Sequence, residues 1–215
     1  MKKIVYGFLL ATAICASSAQ AIPIPVQNAG FEAPAQGSGG TAYTYLSGLN
    51  NFWTYSGNTG VAANGSIFNV VGATGNQAAF LQFAAAGPKG TATPSISQDF
   101  YFAGSQFSTN FLAETRAGYS GSNPLAVFVD AIQLTFSGLS SITPSSTSAF
   151  TTYTSDLIAL SAGNHTLKFV GLANQGDRTS FVDEVKINSV PEPTSIALLG
   201  LGLVGLATRR RSAKK

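Results

Sequence analysis

Along the middle of the chain, apolar and aromatic residues recur in short runs of six to twelve residues, each bounded by Gly, Pro, Asn or Ser. The runs are NFWTYS (51–56), SIFNVV (66–71), QAAFLQF (77–83), SISQDFYF (95–102), FSTNFLAET (107–115), LAVFVDAIQLTF (125–136), AFTTYTSDLIAL (149–160), HTLKFVGL (165–172) and SFVDEVKI (180–187). Several alternate apolar with polar positions, the period of a strand with one buried face. None shows the 3.6-residue period of an amphipathic helix. AGPKG (86–90), SGSNP (120–124) and SAGN (161–164) carry the Gly, Pro and Asn of turns. About nine strands at this spacing, with no repeat of fixed period, predict an all-β sandwich or jelly roll.

Two of the runs have a readable phase. In HTLKFVGL, Leu167 and Phe169 share one face, and Thr166 and Lys168 the other. In SFVDEVKI, an unbroken alternation places Asp183 on the same side as Phe181, Val185 and Ile187. A carboxylate among core residues is costly unless a cation or hydrogen-bond donors meet it. Asp183 is therefore the first residue expected to carry chemistry.

The ends of the chain have a different character. Lys2 and Lys3 precede the apolar stretch 4–14, and Ala19-Gln20-Ala21 is a small-x-small exit, so residues 1–21 read as a secretory signal peptide cut by signal peptidase. Lipid attachment at Cys15 fits less well, because the bulky Ile14 precedes it. Removal of the signal takes away the only cysteine, leaving a mature chain without thiol or disulfide chemistry.

The net charge of +3 misleads about partners. Lys2, Lys3, Arg209, Arg210, Arg211, Lys214 and Lys215 hold seven of the twelve basic groups, whereas residues 22–190 hold five basic against eight acidic groups, a net of −3. The basic balance belongs to the termini, so nothing in the body suggests nucleic acid. Residues 22–189 form one domain of ordinary size, rich in Gly, Ser, Thr, Asn and aromatics.

The body opens on NAGFEAP (28–34) and closes on SFVDEVKI (180–187), with FWTYSGNTGV (52–61), ATGNQAAFLQ (73–82) and SISQDF (95–100) between. In this order the segments resemble the galactose-binding-like β-sandwich family, which includes many carbohydrate-binding modules. The resemblance implies a two-sheet jelly roll in which a structural Ca²⁺ bridges the first and last strands. Carried over by motif position, its carboxylate ligands would be Glu32 and Asp183. Ca²⁺ takes six to eight oxygens from mixed carboxylates and carbonyls, consistent with an acid in phase with the core. The other reading is that Asp183 caps backbone N–H groups or pairs with Arg178, while Glu32 is solvated.

The same resemblance implies glycan binding, in which aromatic faces meet the apolar side of a sugar ring. Tyr43, Tyr45, Tyr55 and Tyr119 are the candidate contacts, while Trp53 reads as core. Catalysis finds little support. His165 is the sole histidine and has no nucleophile elbow near it, no acid stands in a recognisable catalytic context, and a zinc site would need more His or Cys.

The chain ends VPEPTSIALLGLGLVGLATRRRSAKK (190–215). Gly200, Gly202 and Gly205 spell G-x-G-x-x-G, but a Pro-Glu-Pro break precedes them and arginines follow, so they are not a dinucleotide loop. The apolar run 196–207, extended to 194–208, reaches about 18–22 Å as a helix, short of the roughly 30 Å hydrocarbon core. Arg209, Arg210 and Arg211 mark the cytoplasmic end of this short transmembrane helix, in a basic tail 209–215. Pro191-Glu192-Pro193, the short helix and the Arg cluster resemble the PEP-CTERM sorting signal. That resemblance implies transient retention in the inner membrane, cleavage by an exosortase, and release of the body to the cell surface or the exopolysaccharide matrix of a biofilm. Together these expectations describe an exported, non-enzymatic protein that binds glycan. The alternative is a structural or adhesive matrix protein with a protein partner.

Overall fold

The computed structural model describes residues 22–190 other than Ser120 and Ser146. The signal-peptide, Pro-Glu-Pro, membrane-helix and Arg-cluster assignments fall outside these residues. Among the described residues, no helix is long and apolar enough to cross a membrane.

Twelve strands follow in chain order: β1 (Ile22–Ile24), β2 (Tyr43–Asn50), β3 (Trp53–Ala63), β4 (Gln77–Phe83), β5 (Ser95–Phe102), β6 (Gln106–Thr115), β7 (Leu125–Val129), β8 (Ile132–Gln133), β9 (Thr151–Thr154), β10 (Ile158–Ala159), β11 (Gly163–Gly171) and β12 (Arg178–Val190). Every pairing between them is antiparallel. Along the sheet the order is β10-β6-β12-β4-β3-β5-β11-β7-β8, with β1 beside β12, β2 beside β3 and β9 beside β6. The all-β sandwich is thus one continuous sheet curled over itself.

The curl is made within β3. Thr54, Tyr55 and Ser56 pair with β5, whereas Asn58 to Ala63 pair with β4, so the strand passes from one layer to the other. Gly57 stands at the change of partner with φ of 72°. A Cβ there would lie 2.7 Å from the Thr93 carbonyl oxygen, so both the backbone conformation and the close approach require glycine.

The main core fills the space between the layers. Val61, Leu81, Phe111, Ala113 and Val182 come from one side, and Ile96, Phe100, Phe102, Val127, Leu167 and Phe169 from the other. β5 shows the expected alternation: Ile96, Gln98, Phe100 and Phe102 are buried, while Ser97, Asp99 and Tyr101 face outward. Trp53 is fully buried, stacks on Phe31 at 4.8 Å and donates Nε1–H to the Asn28 carbonyl at 3.1 Å, as its core assignment requires.

Every residue of β4 is buried, because this strand is covered on both faces. Ala79 and Leu81 face the main core. Ala78 and Phe80 belong instead to a second cluster with Ala62, Phe68, Val70, Ala73 and Phe181, on the outer side of the same layer. The cover over that side is the segment 64–76. Its central part, 66–71, is not the expected strand. Backbone bonds Ser66 N–H to Ala63 O and Asn69 N–H to Ser66 O fold it into turns, and Asn69 adopts φ of 57°. Phe68 and Val70 are nevertheless buried, so the apolar pattern marked burial and misnamed its geometry.

Other departures are local. LAVFVDAIQLTF breaks at Asp130, with φ of 52°, into β7 and β8, and AFTTYTSDLIAL divides into β9 and β10. The 43–50 segment forms β2, although its alternation is blurred by a register shift between Leu46 and Gly48. The phase of Asp183 also changes. A bulge between Asp183 and Lys186, with Glu184 at φ of 47°, shifts the strand by one position. Before the bulge Phe181 and Asp183 face outward; after it Val185 and Ile187 face the main core. Asp183 therefore lies under the covering segment and not in the inner core.

Candidate functional site

The outer face of the layer built from β6, β12, β4, β3 and β2 carries side chains two residues apart on each strand. Register aligns Glu114, Phe181, Phe80 and Gly60 in one row, with Tyr45 opposite Gly60. Gly60 is needed because a Cβ would collide with the Thr44 carbonyl oxygen and the Phe80 ring. The Phe80 ring meets Phe68 at 4.4 Å and Tyr45 at 5.0 Å, and Tyr43 packs on Phe68 at 4.9 Å.

Beside this aromatic group lies a pocket of about 220 Å³, lined among others by Tyr43, Tyr45, Phe68, Gln82, Arg116 and Asp177. Its polar residues form one connected chain. The Tyr45 hydroxyl donates to Gln82 Oε1, and Gln82 Nε2 donates to Asp177 Oδ1 at 2.8 Å. Asp177 Oδ2 then lies 3.8 Å from Arg116 Nη1. Burial, reinforced by the Asp177 charge, pushes the Tyr45 phenol up to about 12, so it remains a protonated donor.

Arg116 is 5% exposed and is clamped between rings, its guanidinium carbon 4.3 Å from the Phe68 centroid and 3.5 Å from that of Tyr119. Its Nη2 donates to the Ile67 carbonyl at 2.9 Å, tying it to the covering segment. The face holds four buried polar atoms that find no protein partner: Ser66 Oγ, Glu114 Oε1, Arg116 Nε and Thr179 Oγ1. Burying such groups unsatisfied costs about 1–3 kcal/mol each, and one of them, Arg116 Nε, belongs to a residue that lines the pocket.

The structure thus brings together three of the four tyrosines named from sequence. Tyr43 and Tyr45 line the pocket, and Tyr119 covers Arg116. Tyr55 is a correction: at 2% exposure it sits in the main core beside Trp53, facing away from solvent, and burial pushes its phenol upward. Phe68, Gln82, Arg116 and Asp177 escaped sequence reasoning. Gln82 left one signal, as one of two amides in the mostly apolar run QAAFLQF, where a buried polar group needs a partner.

A second polar corner lies at the far end of the same face, where Glu32 and Asp183 meet the covering segment. Asp183 is fully buried; its Oδ2 accepts Thr74 N–H at 2.8 Å and its Oδ1 accepts its neighbour Glu184 N–H at 2.8 Å. Glu32 Oε1 accepts N–H from Asn76 at 3.0 Å and from Gln77 at 3.2 Å, so it is bound to the same segment and not simply solvated. Burial first, then the charges of Glu184 and Glu32, push the Asp183 carboxyl up to about 7. Among the described residues, no three His, Cys, Asp or Glu side chains are grouped to hold a metal ion. Any cation here would need backbone carbonyls to complete its shell.

His165 joins neither group. Its Nδ1 lies 2.7 Å from Asp130 Oδ2 and its Nε2 3.0 Å from the Ser161 carbonyl, a clamp across two turns on the other layer.

The described residues define a protein of the all-β sandwich class with an aromatic and polar pocket on one outer face. Residues 189–211 match the family described as PEP-CTERM protein-sorting motif, so the chain carries that C-terminal sorting signal and is an exported protein. Among solved structures, the fold is similar to TmCBM61 in complex with beta-1,4-galactotriose, at 13% identity over 76% of this chain and 97% of that one, TM-score 0.49. It is similar also to the CBM22-1 xylan-binding domain from Paenibacillus barcinonensis, at 13% identity over 82% and 99%, TM-score 0.43. A third is the K1 cleaved adhesin domain of Lys-gingipain from Porphyromonas gingivalis, at 17% identity over 68% and 98%, TM-score 0.42. Comparison with curated proteins gives no match. The fold class rests on the strand pairing described above, and the ligands of these neighbours remain theirs.

Proposed function

We propose that the body binds a glycan in the pocket formed by Tyr43, Tyr45, Phe68, Gln82, Arg116 and Asp177. The observation that carries this reading is the junction of an aromatic wall with the Tyr45–Gln82–Asp177–Arg116 chain, whose Arg116 Nε is left without a protein partner. Rings suit the apolar face of a pyranose, while an amide, a carboxylate and a guanidinium suit its hydroxyls. The role in this reading is binding, and His165, the one histidine, is engaged by Asp130 and the Ser161 carbonyl. Glycan-array binding by the wild-type protein, lost at least tenfold in Asp177→Ala and Tyr43→Ala, is the expected result. An array without any specific signal overturns the reading.

The sorting signal supports a route for this activity. In this proposal the protein is held transiently in the inner membrane, cut at Pro191-Glu192-Pro193 by an exosortase, and released to the surface or the exopolysaccharide matrix. Mass spectrometry of the exported form is expected to show a C-terminus before Ala207; a mature form that retains 208–215 overturns the processing step.

Ca²⁺ bridging Glu32 and Asp183 completes the proposal. The fit is through the donor set: the fully buried Asp183 carboxylate and the Glu32 carboxylate, which accept N–H groups of the same stretch, from Thr74 and from Asn76 and Gln77. Bound there, the ion would supply positive charge; Asp183 and Glu32 would hold the 64–76 segment against β12. Added CaCl₂ is expected to raise the melting temperature of the wild type and not that of Asp183→Asn. Equal melting with CaCl₂ and with EDTA overturns it.

A further inference from the structure

The hairpin joining β2 to β3 breaks a local rule. Asn50 pairs with Trp53, leaving a two-residue turn whose members, Asn51 and Phe52, have φ of 44° and 76°. Two-residue turns with both φ positive favour Asn-Gly, because the second position suits a residue without a Cβ. Phenylalanine there is strained, and it gains little burial in return, since Phe52 is 60% exposed and its neighbour Leu49 is 76% exposed. A residue that costs backbone strain and contributes no core contact points to a role outside folding.

The turn is also held firmly in place. Gln98 Nε2 donates to the Phe52 carbonyl at 3.3 Å and to the Gln27 carbonyl at 2.8 Å, and Gln98 Oε1 accepts Gln27 N–H at 2.9 Å. Asn28 Nδ2 reaches the Asn51 carbonyl at 3.4 Å. Beneath the ring is a pocket of about 480 Å³, whose walls include Asn51, Phe52, Thr54, Ser97 and Asp99. That size lies within the ~300–1,000 Å³ usual for small-molecule sites. Asp99 Oδ1 accepts the Thr166 hydroxyl at 2.6 Å, which fixes the carboxylate at the pocket wall.

We infer that this hairpin pocket is a second glycan subsite, with Phe52 as platform for a pyranose ring and Thr54, Ser97 and Asp99 as partners for its hydroxyls. The composition favours a sugar over a protein surface, since Phe52 and Leu49 are the only apolar side chains in a wall otherwise made of hydroxyls, amides and one carboxylate. The inference builds on the glycan-binding reading but uses none of its residues. Thr54, Ser97 and Asp99 lie on the outer face of the β5 layer, whereas Tyr45, Gln82 and Arg116 lie on the outer face of the β4 layer, across the main core. Two sites facing away from one another let one molecule join two polysaccharide chains, which a single site cannot do.

The test uses the full chain with soluble β-galactan, xylan, dextran and alginate as probes. Stoichiometry is read by titration calorimetry with short oligosaccharides of each, and cross-linking by light scattering with the polymers. Two sites per chain are expected in the wild type and one in Phe52→Gly. That variant should also melt at a higher temperature, because glycine relieves the turn; the loss of binding is then separated from a loss of folding. Polymer cross-linking should disappear in Phe52→Gly and return in Phe52→Trp. Unchanged stoichiometry in Phe52→Gly, with binding lost in Asp177→Ala, overturns the second subsite and leaves the first. Binding lost in Phe52→Gly and unchanged in Asp177→Ala overturns the first and leaves the second. A change confined to sedimentation mass, with binding intact, overturns the subsite in favour of self-association, and no binding to any probe overturns both.

Discussion

The two outer faces of the sandwich are built from similar strands and meet different fates. On the β4 layer the outward positions Ala78 and Phe80 are covered by the segment 64–76 and join a second, largely aromatic cluster, while Gln82 lines the pocket beside it. On the β5 layer the outward positions, Ser97, Asp99 and Tyr101, stand in solvent, and Tyr101 is 63% exposed. One face is an inner surface with a lid, and its cost is a set of buried polar groups. The other is left to water, and the His165–Asp130 pair of that layer lies at a strand end with the imidazole packed on Phe100 and Phe102 of the inner side. Covering a sheet face adds packing energy but obliges every polar group beneath it to find a partner.

Mutation can break this comparison most strongly at Phe80. Its ring is fully buried between Phe68 and Tyr45, so Phe80→Ala is expected to lower stability by about 3–5 kcal/mol in urea denaturation. A loss near that of a surface substitution would show that the 64–76 cover does not pack as described.

The pH dependence sharpens the comparison next. Asp183 and Glu114 are both pushed up to about 7 by burial, so the folded state retains protons that the unfolded chain has released above about pH 4. Their contribution is therefore complete below about pH 4 and is lost as pH rises through 7. On the other layer, His165 is raised mainly by Asp130, with the Ser161 carbonyl adding to it against the effect of burial; its contribution is present below the ordinary histidine value and fades above it. All three act in one direction. Without added cation, stability should fall from pH 5 to pH 8, on the order of 2 kcal/mol, and Asp183→Asn should flatten the profile. A profile that rises with pH would contradict the burial of both acids.

At the joint between the layers, Gly57→Ala should cost about 1–3 kcal/mol, from positive φ and contact with Thr93. The smallest effect belongs to the open face. Tyr101→Thr should change stability by less than about 0.5 kcal/mol, and a larger loss would mean that this face is covered too.

Much of this architecture is written in local chemistry. The alternation of SISQDFYF gives β5 with its bounds, and QAAFLQF gives β4, since strand period and apolar runs need no knowledge of the partner. Trp53 as core also follows from residue character. The sorting motif at 189–211 is likewise legible, because a processing signal acts through its linear order.

The rest depends on contacts between distant segments. Gln82 and Asp177, 95 positions apart, become hydrogen-bond partners only when β12 pairs with β4. The run 66–71 has strand-like composition, yet its backbone closes turns on itself, and only the face it covers determines that Phe68 and Val70 are buried. A bulge at Glu184 redirects Asp183, which a strict period of two cannot foresee. Tyr55 shows the same limit, since its residue type fits a ligand contact and its place in β3 puts it in the core. Sequence by itself determined strands such as β4 and β5 and the sorting motif. Tertiary structure decided which face each strand turns to solvent, because burial is a property of the neighbours and not of the residue.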